Sequence, residues 1–158
     1  MTDRSTFFGA FTLERVFNAS PSRVFAAYAD RDAKQRWMGC DHVASPVIER
    51  LEMRPGGVEI SRGPGDDGEH LFEGIYHDVV PSRRFVFSFV MHVGGVKLSA
   101  SLATVELIPE RAGTRLIFNE QGVYFGVDGW ADREEGTAVG MDTLAAWLEQ
   151  QSGDPASA

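Results

Sequence analysis

Glu120 is the residue of this chain whose type and placement most invite chemistry. It alternates with Leu116 and Phe118 along Thr114-Arg-Leu-Ile-Phe-Asn-Glu120, a period-two run, so the three side chains share one face of a strand. A carboxylate on the same face as a leucine and a phenylalanine points inward. It then needs a partner, or its pKa rises. Arg15, in phase with Leu13 and Phe17, is the expected partner as an ion pair, and Tyr76 is the alternative. Such a group is either a structural salt bridge at a cavity rim or an acid–base residue.

Other constellations promise less. Gly63-Pro-Gly65-Asp-Asp-Gly68 fits the G-x-G-x-x-G pattern, but a strand follows it instead of a helix, and Asp66 and Asp67 would repel a pyrophosphate. It reads as a loop. His42, His70, His77 and His92 lack metal-ligand spacing, and Cys40-Asp41-His42 offers adjacent residues that seldom converge on one ion. No metal is expected there. No Cys–His nucleophilic geometry is evident and G-x-S-x-G is absent, so no cofactor and no standard nucleophile is expected.

Large apolar side chains at strand spacing give the stronger signal. Phe85, Phe87, Phe89 and Met91 share one strand face, and Phe72, Gly74 and Tyr76 share another. Ser99, Ser101, Ala103 and Val105 line a third strand with small residues. Plain core packing explains much of this. Two details point to a cavity instead. The small residues leave volume, and Gly140 sits mid-helix on an inward face, where it costs about 1 kcal/mol relative to alanine.

The elements that carry these residues can be read in order. Phe11 to Phe17 alternates as a first strand. Ser20-Pro21 caps and opens a helix, and Asp30 caps a second that runs through Trp37. Strands follow at Ala44–Met53, Gly57–Arg62, His70–Val80, Arg83–His92, Leu98–Ile108 and Thr114–Gln121, with connections short enough to make neighbours antiparallel. A last helix, with Asp132 and Glu135 in the manner of a capping box, places Thr137, Gly140, Met141, Leu144 and Leu148 on one face. Residues 1–10 read as an N-terminal extension, 11–151 as one domain and 152–158 as a disordered tail.

Composition sets the limits. A chain of 158 residues fits one domain with a sizeable core. The net charge of −8 and only two lysines, Lys34 and Lys97, exclude a phosphate-backbone partner. A single cysteine excludes an internal disulfide and fits a cytoplasmic protein, as does the lack of an apolar signal segment. No apolar stretch is long enough to span a bilayer, so no membrane is expected.

In this order the motifs become recognisable. Ala19-Ser-Pro-Ser-Arg-Val-Phe25 with Trp37, the Gly56-Gly57 hairpin, Gly74-Ile-Tyr76 before Val80-Pro81-Ser-Arg-Arg-Phe85, Gly113-Thr-Arg-Leu116 and Gly129-Trp130 follow one another at characteristic spacings. The sequence resembles the SRPBCC (START-like) superfamily, and within it the homologues of the activator of the heat-shock ATPase chaperone. The resemblance spans roughly Thr12 to Leu148. It implies an α+β helix-grip (START/Bet v-like) fold: a curved antiparallel sheet of about seven strands, β-α-α-β6-α, around a long C-terminal helix.

That resemblance and the apolar faces together predict binding of a small hydrophobic molecule, lipid-like or aromatic and polyketide-like, between sheet and helix. The expected lining is Trp37, Phe72, Tyr76, Phe87, Phe89, Met91, Ser101, Ala103, Phe118, Glu120, Gly140, Met141 and Leu144. Related folds include cyclases and dehydratases, so the alternative is an enzyme in the same cavity, with Glu120, Tyr76 and His92 as acid–base candidates. A co-chaperone role ranks third, since the resemblance implies it for larger relatives with a further domain. Monomer and homodimer both remain open.

Overall fold

The computed structural model describes residues 4–39 and 46–152. The Cys40-Asp41-His42 loop, the Ala44 start of the second strand and residues 153–158 of the expected tail fall outside these, while Ser152, the tail's expected first residue, ends the last helix. The elements run β1 (Thr6–Phe17), α1 (Pro21–Ala29), α2 (Arg31–Gly39), β2 (Val47–Leu51), β3 (Val58–Gly63), β4 (His70–Val80), β5 (Arg84–Val93), β6 (Val96–Glu110), β7 (Gly113–Phe125) and α3 (Trp130–Ser152). Strand β1 begins five residues before the Phe11 start that alternation suggested, because Thr6 to Ala10 pair with β7 from Gln121 to Phe125.

All seven strands form one antiparallel sheet in the order β1-β7-β6-β5-β4-β3-β2. The first and last strands of the order do not pair, so the sheet is curved but unclosed. Register shifts at Tyr76/Asp78 and Met91/His92 insert extra residues into the long central strands, and such bulges bend a sheet. The β5–β6 hairpin turns on Gly94 and Gly95, with φ of +58° and +80°, a pair of left-handed positions that glycine alone takes without strain.

Helix α3 lies in the concave face. At 1.5 Å per residue its 23 residues extend about 34 Å, enough to cross the sheet. Met141, Leu144 and Leu148 are buried on its inward stripe, as the helical spacing predicts. Its start is two residues earlier than the Asp132 signal: Asp128 Oδ1 accepts from the Trp130 amide at 3.2 Å, and the Trp130 indole donates to the Phe7 carbonyl at 2.9 Å. The indole lies flat enough on β1 that a side chain at Gly9 would overlap it, with a Cβ only 2.4 Å from the ring. A glycine in the first strand thus sets the entry of the last helix.

Helices α1 and α2 close one end. Ser20 Oγ accepts from the Arg23 amide and Asp30 Oδ1 from the Ala33 amide, so both expected caps are in place. The Trp37 indole donates to the Ala27 carbonyl at 2.8 Å and its ring meets Tyr28 edge-on at 5.2 Å, which locks α2 onto α1. This is the helix-grip α+β fold. No helix among the described residues is long and apolar enough to cross a membrane.

Candidate functional site

Between the concave face of the sheet and α3 lies a cavity of about 370 Å³, toward the small end of the ~300–1,000 Å³ typical of ligand sites. Its sheet wall is aromatic. Phe72 stacks on Phe89 at 4.9 Å, and Phe87 lies 5.6 Å from Phe89, so successive residues of one strand face continue onto the next. Phe118, Met91, Trp37 and Met38 extend the apolar surface, and Met141 faces it from the helix.

The helix contributes space. Gly136 and Gly140 lie one turn apart on the cavity side, and a Cβ built at either meets nothing within 4 Å. A mid-helix glycine can serve close backbone approach or leave room open, and at Gly140 the structure shows open room. Gly140→Ala should therefore add helix propensity without a clash and raise stability by about 0.5–1 kcal/mol, read by urea denaturation. A loss of stability would mean that the helix sits closer to the sheet than described.

Two buried ion pairs stand at opposite sides of this space. On the β7 side Glu120 is 1% exposed. Arg133 Nη1 donates to its Oε2 at 2.6 Å and Ser101 Oγ donates to the same oxygen at 2.8 Å. Arg133 also donates to Ser99 Oγ at 2.7 Å, and its guanidinium lies 5.0 Å from the Tyr124 ring and 5.4 Å from the Phe89 ring. Burial holds the Glu120 carboxyl above its ordinary value; Arg133 and Ser101 oppose that rise without cancelling it.

On the β3 side Lys34 Nζ donates to both oxygens of Glu59 at 2.9 Å, and Tyr76 Oη donates to Glu59 Oε1 at 2.5 Å. All three residues are buried. Burial first, and the Glu59 charge second, push the Tyr76 phenol far above its usual range, so it remains a donor. Tyr28 and Ser61 also line this end, and burial raises the Tyr28 phenol too.

The two ends belong to one row across the sheet. Register places Glu59 beside Gly74, Gly74 beside Phe89 and Phe89 beside Ser101, the hydroxyl that holds Glu120. Three strand spacings of about 4.8 Å put some 14 Å of sheet between Glu59 and Ser101, and Glu120 lies one strand further on, in β7. Gly74 and Phe89 form the floor between them.

The expected partner of Glu120 needs correction. Arg15 pairs with Asp142 of α3, not with Glu120. The phase of Arg15 is inward as expected, but the β1–β7 register sets it opposite Leu116 and sets Phe11 opposite Glu120, four residues or about 13 Å away. Tyr76, the alternative, is engaged by Glu59. His92 does not reach the cavity: it follows inward Met91 and so alternates to the convex side beside exposed Glu73, its Nδ1 4.0 Å from Glu73 Oε1 and without a hydrogen bond.

Of the expected lining, Trp37, Phe72, Phe87, Phe89, Met91, Phe118, Glu120, Gly140 and Met141 border the cavity. Ala103 and Leu144 are fully buried behind the wall, Ser101 stands behind Glu120, and Tyr76 behind Glu59. The sequence reading missed Lys34, Glu59 and Arg133. Arg133 had a usable signal, since it precedes Thr137 by four and so extends the inward stripe of α3. Among the described residues no three His, Cys, Asp or Glu side chains converge as a metal site, and nothing in the cavity resembles a phosphate cradle.

Comparison with known proteins fits this architecture. The family model for activator of Hsp90 ATPase homolog 1-like protein matches residues 18–150. Among solved structures, an uncharacterized protein from Rhizobium leguminosarum is similar at 33% identity with a TM-score of 0.86, covering 94% of this chain and 99% of that one. The Mll3558 protein from Rhizobium loti is 42% identical with a TM-score of 0.80, covering 90% and 99%. No curated protein matches. The family match spans α1 through most of α3 and so includes both ion pairs and the cavity between them; the chain belongs to the family of activator of Hsp90 ATPase homolog 1-like proteins, in the SRPBCC superfamily.

Proposed function

We propose that this protein binds a small, mostly apolar molecule in the cavity between its curved sheet and α3. One observation carries the reading: an aromatic-walled space faces a helix whose partly buried Gly140 leaves open volume where an ordinary side chain would fill it. Filling that space with leucine would bury more apolar surface, which favours stability. Keeping it open forgoes that gain, and a ligand that completes the packing would recover it. The few polar groups at the ends would fix the ligand's orientation.

The test is native mass spectrometry of the purified protein, followed by a thermal-shift screen with fatty acids, flavonoids and aromatic polyketides. A ligand that binds only the folded state stabilises it by about 2.7 kcal/mol at a hundredfold excess over Kd. Gly140→Leu places a side chain in the cavity and should abolish the shift while leaving the protein folded. A shift that survives Gly140→Leu would move the ligand elsewhere, and no shift across all three classes would sink the proposal.

An enzymatic reading rests on a single group. Glu120 has a raised pKa and borders the cavity, whereas Tyr76 is committed to Glu59 and His92 faces away. One buried carboxylate paired to an arginine serves orientation at least as well as proton transfer. Turnover of a bound ligand that stops in Glu120→Gln while its affinity persists would favour the enzyme.

A further inference from the structure

Four ionised side chains border the cavity, and their charges cancel pairwise: Lys34 with Glu59, Arg133 with Glu120. The pairs are not equally saturated. Both oxygens of Glu59 receive hydrogen bonds, one of them from two donors. Glu120 receives both of its bonds on Oε2, and no described residue donates to its Oε1. This oxygen belongs to a side chain only 1% exposed, set in the cavity wall. A carboxylate oxygen in the cavity wall that no protein group donates to can accept a ligand's O–H or N–H, and such a bond to a charged acceptor is among the stronger ones.

The same balance disfavours an acid. Neither cation is free to neutralise a ligand carboxylate, because each already faces a glutamate within 2.9 Å. A third negative charge among these groups would go uncompensated. The walls favour flat rings over a flexible chain, since Phe72, Phe87, Phe89 and Phe118 present faces and edges for offset stacking. Resting on the small-molecule reading above, we infer that the ligand is a neutral aromatic compound whose hydroxyl or N–H donates to Glu120 Oε1.

The experiment compares three probes on one ring system by isothermal titration at neutral pH: naphthol, methoxynaphthalene and naphthoate, substituted at the same carbon. Naphthol keeps the donor, the methyl ether removes it, and naphthoate adds a charge. Naphthol should bind about tenfold tighter than the ether, the size expected of one hydrogen bond to a charged group, and naphthoate should bind weakest. In Glu120→Gln the naphthol advantage should shrink to about threefold or less while the ether keeps its affinity. Naphthoate binding as well as naphthol, or the ether matching naphthol in the natural protein, overturns the inference but leaves the cavity reading standing. If none of the three binds, the inference falls, and the thermal-shift screen above decides the cavity reading by itself. The comparison in the natural protein decides the matter even if Glu120→Gln does not fold.

Discussion

Replacing Lys34 with methionine will lower the unfolding free energy by about 3–5 kcal/mol at neutral pH, the range found when one partner of a buried ion pair is removed. Methionine reproduces most of the lysine stem, so the loss is not one of packing. It is the loss of the cation. Glu59, 3% exposed, would lose the cation that neutralises it and, among the described residues, keep only Tyr76 Oη as a side-chain donor. The double variant Lys34→Met/Glu59→Gln should recover most of that loss, because it removes the uncompensated charge. Arg84→Ala is the control. Arg84 and Asp78 also form a close pair, at 2.6 Å, but their side chains are 51% and 45% exposed, and breaking it should cost less than about 1 kcal/mol. Urea denaturation of the four proteins checks the set. Lys34→Met and Arg84→Ala losing similar amounts would mean that water reaches Glu59 freely.

Lys34 and Glu59 also show where a sequence stops being legible. The fold could be read because the elements that make it follow simple periods. The Ser20 and Asp30 caps, the apolar face of β5 and the Met141–Leu144–Leu148 stripe each bury what alternation or helical spacing says they bury. Strand β3 inverts that rule. Its inward residues are Glu59 and Ser61, while Val58 and Ile60 are only partly buried, so an apolar-inward reading points the glutamate to solvent. Lys34 belongs to the inward face of α2 with Trp37 and Met38, but a lysine on a short, polar helix gives no sign of burial by itself. Each of the two residues looks solvated alone. Only the packing of α2 against β3 brings them together, and no local pattern carries that contact.

The Arg15 error has the same origin at another scale. Phase along a strand is a local property, and the inward phases of Glu120 and Arg15 were both readable. Register between strands is not local. Strand β1 begins at Thr6 and pairs through to Phe17, so the starting point of one strand decided which residue faced Glu120. The cation that neutralises Glu120 came from α3 instead, thirteen positions along the chain. Charge neutralisation inside the cavity could be anticipated from the sequence; the side chain that supplies it could not.

Arg133→Met should therefore be the second severe variant, and its cost should depend on pH. The guanidinium neutralises Glu120, holds Ser99 and lies against the rings of Phe89 and Tyr124, so its removal leaves a buried carboxylate with one hydroxyl for company. A loss of about 3 kcal/mol is expected at neutral pH. This is the lower end of the buried-pair range, since the Arg133 side chain is 15% exposed and some water will enter in its place. The sign of the pH effect follows from linkage. The carboxyl of Glu120 is already held above the ordinary glutamate value of 4.5, so over the interval between the two the folded state binds more protons than the unfolded state, and stability falls as pH rises through it. Without Arg133 the folded value climbs further, the interval widens, and the penalty is largest above it. Acidification toward 4.5 protonates Glu120 and relieves that penalty. The difference between the natural protein and Arg133→Met should thus shrink on going from neutral pH to about pH 5, and Arg133→Met/Glu120→Gln should show little of this dependence. Denaturation curves at the two pH values measure both effects. An equal loss at both, unchanged by adding Glu120→Gln, would mean that Arg133 acts through its ring contacts and not by neutralising the cavity's buried acid.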